Sequence, residues 1–136
     1  MRFVLVLALF AAGCSVIPGL GSNDVGLSSP PQTLEEYRVQ REVLVDQLDE
    51  AIGRARATNV AACRVVPVGE KACGGPAGYR VYSASDVAPG QVTAAAEEVT
   101  RLDAYANERF EMVSTCDVTP EPSVTVVDGR CVASGW

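Results

Sequence analysis

The chain has 136 residues, 11 Lys and Arg against 17 Asp and Glu, no histidine and five cysteines. That length suits one modest domain rather than two. A net charge of -6 leaves no basic face for phosphate and argues against nucleic acid as a partner, while the lack of histidine removes Ser-His-Asp, Cys-His and His-metal chemistry.

At the amino terminus, Arg2 precedes ten apolar residues at 3–12 (FVLVLALFAA), which end in small side chains before Gly13 and Cys14. Charge, apolar core and small residues, in that order, mark a secretory signal. At helical rise the run covers about 15 Å, half of a ~30 Å hydrocarbon core, so it is too short to span a membrane. Ala11-Ala12-Gly13-Cys14 resembles the lipobox of bacterial lipoproteins, with Ala11 where leucine is most usual. The resemblance implies that residues 1–13 are a signal peptide cut off after Gly13. It also implies a diacylglycerol on the Cys14 sulfur and an acyl chain, such as palmitate, on the new amino group. Two or three acyl chains hold a protein firmly at a membrane. In Gram-negative members an aspartate after the lipidated cysteine favours inner-membrane retention. Ser15 stands there instead, which implies a lipid anchor in the outer membrane, facing the periplasm.

Residues 14–32 are then the lipidated cysteine and its tether. Of the 18 residues at 15–32 (SVIPGLGSNDVGLSSPPQ), ten are Gly, Ser or Pro, and neither a strand nor a helix period runs through them. Such a segment buries too little apolar surface to offset its ordering entropy.

Residues 33–136 leave 104 for one folded domain, with 48 apolar residues of which 32 are Ala or Val and only eight are Leu, Ile, Phe, Met or Trp. A core that thin gains from covalent cross-links. Thr33-Leu34-Glu35-Glu36 has the order of a capping box. Apolar residues recur after it at Leu34, Tyr37, Leu44, Leu48, Ile52 and Ala55, which predicts a helix over 34–57. Its acidic start and the basic Arg54 and Arg56 suit the macrodipole, and its charges, including the Glu50 and Arg54 pair, read as a solvated face.

Residues 63–68 (CRVVPV) predict an edge strand, because Pro67 cannot donate to a ladder. Residues 69–78 (GEKACGGPAG) are turn chemistry, and 79–83 (YRVYS) alternate as a strand does. A second helix is predicted over 91–113, with Val92, Ala96, Val99, Leu102, Ala106, Phe110 and Val113 on one stripe. Residues 123–127 and 130–133 flank Asp128-Gly129, a strong hairpin signal. The order helix, strand, strand, helix, strand, strand predicts an α+β domain of two amphipathic helices packed on a small antiparallel or mixed sheet. A helical hairpin decorated by loops, or two hairpins that never join one sheet, are the alternatives.

With Cys14 set aside, Cys63, Cys73, Cys116 and Cys131 allow three pairings, and export favours disulfides over free thiols. Local pairing, Cys63 with Cys73 and Cys116 with Cys131, closes short loops around turn-rich chain, each bridge contributing about 2–3 kcal/mol. Zinc is a poor fit without a C-x2-C pair or histidine, and no residue pattern calls for a cofactor. Glu97, Glu98, Asp103, Glu108 and Glu111 read as the polar side of the second helix, not as a pair of opposed catalytic carboxyls, so an enzyme is not expected.

Tyr79, Tyr82 and Trp136 are the candidate binding residues, because aromatics beside glycine-rich loops often anchor interfaces. They serve equally as core filler, and at least one tyrosine is expected in the core. Lys71-Ala72-Cys73-Gly74-Gly75-Pro76 with Tyr79, Tyr82 and Ser83 also resembles a segment of small uncharacterised exported bacterial proteins; it implies no substrate. The sequence thus predicts a lipid-anchored envelope protein, a binding or structural module with a protein partner in the envelope. The alternative is an inhibitor of a cationic envelope hydrolase, which an acidic, cross-linked domain would meet quickly through charge.

Overall fold

The computed structural model describes residues 29–135. The expected signal peptide, Cys14, most of the tether and Trp136 lie outside the described residues.

Helix α1 spans Leu34–Ile52. Its capping box forms: Thr33 Oγ1 accepts the Glu36 N–H at 3.1 Å. The Glu36 carboxylate turns back to accept from the Gln32 N–H at 2.6 Å, one residue ahead of the cap itself. The helix stops short of residue 57 because Gly53 takes φ 61°, a left-handed value that glycine reaches without a Cβ clash. Arg54 and Arg56 therefore lie beyond the helix. The last four residues of the expected tether, 29–32, lie against the helices: Pro31 is fully buried, the Tyr105 hydroxyl faces its carbonyl at 3.4 Å, and Gln40 donates to the Ser29 carbonyl.

Strand β1, Cys63–Val68, pairs antiparallel with β2, Gly78–Ser83, placing Cys63 opposite Ser83 and Val68 opposite Gly78. Helix α2 spans Pro89–Arg109, opening on a proline whose missing N–H would have had no helical partner there. Val92, Ala96, Val99, Leu102 and Ala106 are buried as the stripe predicts. The stripe fails at its end. The helix closes at Arg109, Glu111 has φ 49°, and Val113 is left 94% exposed.

Strands β3, Ser123–Val127, and β4, Arg130–Ser134, form the second hairpin across Asp128-Gly129. The fold is α+β, with two helices and two separate two-stranded antiparallel sheets; the single joined sheet is replaced by two hairpins. Leu44, Leu48 and Ile52 of α1, the α2 stripe, and Cys63, Val66, Val68 and Tyr82 from the first hairpin build one core. Each fully buried Val or Leu there contributes about 1.5–3 kcal/mol.

The disulfides are Cys63–Cys131 and Cys73–Cys116, correcting the local pairing of Cys63 with Cys73 and of Cys116 with Cys131. Geometry explains the difference. Cys63 opens β1 and Cys73 lies in the loop after its far end, so extended chain at about 3.3 Å per residue carries the two apart. A bridge needs Cα atoms within roughly 7 Å. Cys63 instead meets β4 at Cys131, with Cα atoms 5.5 Å apart. The β1–β2 loop meets the chain after α2, where Cys73 and Cys116 have Cα atoms 5.4 Å apart.

Candidate functional site

Loop 69–77, between β1 and β2, is held at two places by different means. At its inner end the holding group is Asp103 of α2, only 3% exposed. Asp103 Oδ1 accepts from the Tyr37 hydroxyl at 2.9 Å and from Arg41 Nε at 2.8 Å. Its Oδ2 accepts from Arg41 Nη2 at 3.2 Å and from the Glu70 N–H at 3.3 Å. One helical turn to either side, Thr100 Oγ1 accepts the Gly69 N–H at 3.0 Å, and Asn107 Nδ2 donates to the Glu70 carbonyl at 2.9 Å. The three α2 residues thus hold the loop's first two positions, and Tyr37 and Arg41 of α1 hold Asp103 in turn. Gly69 has φ 71°, and a Cβ there would run into Asp103 Oδ2.

The Tyr37 phenol is pushed up to about 12, first by burial and then by its hydrogen bond to Asp103 and that residue's negative charge. The Arg41 guanidinium is pushed up mainly by its hydrogen bond to Asp103, against desolvation. A carboxylate has about four lone-pair positions, and four donors occupy those of Asp103. It is a buried clamp, which corrects the sequence reading of Asp103 as part of a solvated acidic face.

At its outer end the loop is tied by Cys73–Cys116, both half-cystines exposed. It also closes on itself: the Gly74 N–H donates to the Lys71 carbonyl at 2.8 Å and the Lys71 N–H to the Gly75 carbonyl at 3.0 Å. The Lys71 ammonium reaches across to the Asp117 carbonyl.

Between this loop, β1 and one face of α2 lies a groove of about 430 Å³, within the size range of ligand sites. Val66 and Ala96, both buried, and the prolines Pro67 and Pro76 give it an apolar surface. Glu70, Glu97 and Arg101 add charge, and Thr93 and Thr100 add hydroxyls. Arg101 is ion-paired with Glu98.

No protein-family model, curated protein or solved structure matches this chain.

The predicted binding residues are separated by the fold. Tyr82 is 6% exposed and belongs to the core, where at least one tyrosine was expected. Tyr79 is half-buried, opposite Pro67, and does not line the groove. Trp136 and the lipidation candidate Cys14 lie outside the described residues. Among the described residues, no group of three or more Cys, Asp or Glu is placed to hold a metal ion, and no helix is long and apolar enough to cross a membrane. The groove was missed because its apolar surface comes from small residues, Ala96, Val66 and two prolines. These carry no sequence signal of their own until the loop folds over α2.

Proposed function

We propose that this chain is a lipid-anchored cell-envelope protein whose domain works as a binding module, anchored through Cys14 and presenting the groove between loop 69–77 and α2 to a partner. The observation that carries the binding role is the groove itself, whose loop wall is fixed in advance by the Asp103 clamp at one end and by Cys73–Cys116 at the other. Such preorganisation reduces the ordering entropy lost on binding. Two disulfides suit an oxidising compartment, and the lipobox resemblance at 11–14 supports the anchor.

Two measurements test the reading. Intact-mass analysis of the exported protein should find diacylglycerol and acyl mass on a chain that begins at Cys14. Acyl mass that persists in Cys14→Ser overturns the anchor. A small aliphatic diazirine residue, which leaves the groove open, placed at Thr93 in its lining should capture discrete envelope partners on illumination, whereas the same group at exposed Val39 on α1 should not. Identical patterns from both positions, or none from either, overturn the binding role.

The second reading, inhibition of a cationic envelope hydrolase, is favoured by the exposed, cross-linked tip of loop 69–77, where Ala72, Cys73, Gly74 and Gly75 are all solvent-facing. Titrating basic envelope hydrolases with the protein should then reduce their activity stoichiometrically. Undiminished activity with a molar excess of protein sinks this reading.

A further inference from the structure

The groove combines two kinds of surface that together select a ligand chemistry. Its apolar part is shallow-featured and made of small side chains, Val66, Ala96, Pro67 and Pro76, which suits a small branched side chain better than a large aromatic one. Its charge is net negative, with Glu70 and Glu97 against Arg101. Arg101 is exposed, pairs with Glu98 and also feels the Glu97 charge. Glu70 and Glu97 take part in no side-chain hydrogen bond or ion pair among the described residues. Glu70 is also fixed in place, because its N–H is held by Asp103 and its carbonyl by Asn107. An ion pair costs less ordering entropy when one partner's backbone is already held. The net charge of -6 adds a long-range attraction for cations.

Shape distinguishes a chain from a small ion. The groove borders β1, which among the described residues pairs with β2 alone, leaving its other edge without a strand partner for an extended segment to meet. Pro67 cannot donate a ladder hydrogen bond at its own position, which shifts recognition from main-chain pairing to side chains that alternate between the apolar surface and the carboxylates.

We infer that the groove receives an extended peptide segment of a protein partner, in which a lysine or arginine alternates with a small apolar residue, the cation meeting Glu70 and Glu97 and the apolar side chain seating against Pro67 and Pro76, above the buried Val66 and Ala96. This rests on the binding-module reading and names the partner's chemistry.

The test is fluorescence anisotropy with the full exported protein and a short labelled peptide of alternating Val and Lys, against a twin with Glu in place of Lys. The Val-Lys peptide should bind saturably and weaken with salt, and the Val-Glu twin should not bind. The double variant Glu70→Gln, Glu97→Gln should weaken binding about tenfold or more, Thr93→Trp should abolish it by filling the groove, and Glu108→Gln, an exposed charge outside the lining, should leave it unchanged. Circular dichroism and thiol titration confirm that each variant keeps its fold and both bridges. The inference is overturned by equal binding of the twin, by indifference to the glutamate pair or to Thr93→Trp, by no saturable binding up to millimolar peptide, or by free spermidine displacing the peptide at equal concentration, which makes the site a simple cation site. Site-specific cross-links from Thr93 without peptide binding remove this inference alone; loss of both removes the binding module with it.

Discussion

The two hairpins solve the same problem in opposite ways. In β3–β4 the strands are joined by Asp128 and Gly129, at φ 50° and 71°, the two positive values a tight two-residue turn of the favoured hand requires. The shape of that turn is set by its own two residues, and no side chain crowds it: a Cβ on Gly129 would meet no atom within 4 Å. Tertiary contacts act on the strands through Cys131–Cys63 and the bond from the Cys131 N–H to the Ala55 carbonyl, and on the turn through the Gly129 carbonyl, which accepts the Ala57 N–H, each bond 2.9 Å. In β1–β2 the connection is residues 69–77, too long to define its own shape. There the tertiary contacts act on the loop, by the Asp103 clamp and by Cys73–Cys116. A turn closed by local chemistry leaves its neighbours little to add. A loop shaped from outside becomes a wall whose position depends on distant residues, and that wall borders the groove.

The sharpest way to break this comparison is to remove each bridge in turn. Cys63 to Cys73 spans ten residues and Cys116 to Cys131 fifteen, so with either bridge intact the other closes the same ring of about 25 residues. Chain entropy then assigns both the same contribution, about 3.5 kcal/mol. Burial separates them. Cys63 and Cys131 are each 5% exposed, whereas Cys73 and Cys116 face solvent. Replacing the inner pair by alanine should destabilise by about 4–5 kcal/mol, cavity term included, and the outer pair by about 3 kcal/mol. Urea unfolding measures both, and a larger loss for the outer pair contradicts the assignment. Only the outer variant should loosen loop 69–77 in hydrogen exchange.

Next in size is Asp103→Ala, which leaves the Arg41 guanidinium, the Tyr37 hydroxyl and the Glu70 N–H without their acceptor. Breaking a buried pair costs about 3–5 kcal/mol, and the partial exposure of Arg41, 35% by side chain, puts the expectation near 3 kcal/mol. Amide exchange should speed up in loop 69–77 while β3–β4 keeps its protection relative to global stability; uniform loosening of both hairpins refutes the clamp.

Gly69→Ala and Gly129→Ala compare the two connections directly, since both glycines have φ 71°. Gly129→Ala carries only the backbone strain, about 1 kcal/mol. Gly69→Ala adds a collision with Asp103 Oδ2 and should cost about 2–3 kcal/mol. Equal losses in thermal unfolding remove the distinction between a local turn and a clamped loop.

The smallest effect is alkaline. The Tyr37 phenol is raised from 10.0 to about 12 in the folded protein, so its contribution is fully present below pH 10 and is lost as pH rises through 12. After discounting for its partial exposure this amounts to about 1 kcal/mol. Tyr37→Phe should be less stable than the parent at neutral pH, and the difference between the two should shrink from pH 10 to 12. A constant difference across that interval separates Tyr37 from the Asp103 network.

Much of this was readable in the residues, and the misses have identifiable causes. The capping box at Thr33, the α2 stripe from Val92 to Ala106 and the Asp128-Gly129 turn were legible because each is a short-range pattern whose geometry the chain repeats locally. The overrun of α1 came from following its apolar period through Ala55 past Gly53, where a left-handed glycine ends the helix. Asp103 was misread by its chemistry despite its place in the periodicity: it stands seven residues after Ala96 and four after Val99, inside the arc of the buried stripe. A carboxylate at such a position demands partners, but nothing local reveals that Tyr37 and Arg41, more than sixty residues earlier, supply them. The disulfide connectivity was open for the same reason, since four cysteines fit three pairings until the strands fix which pairs meet.

By itself the sequence determined the two helices, the strand pairs, the local hairpin turn and a core too poor in large side chains to forgo cross-links. These follow from propensities and periodicities that act over a few residues. The tertiary structure alone decided that the hairpins stay separate, that the bridges nest rather than close local loops, that Asp103 is buried, and that small side chains from β1, loop 69–77 and α2 surround one groove. Each of those depends on contacts between residues distant in the chain, whose free energy is defined only once the helices and hairpins have packed against one another.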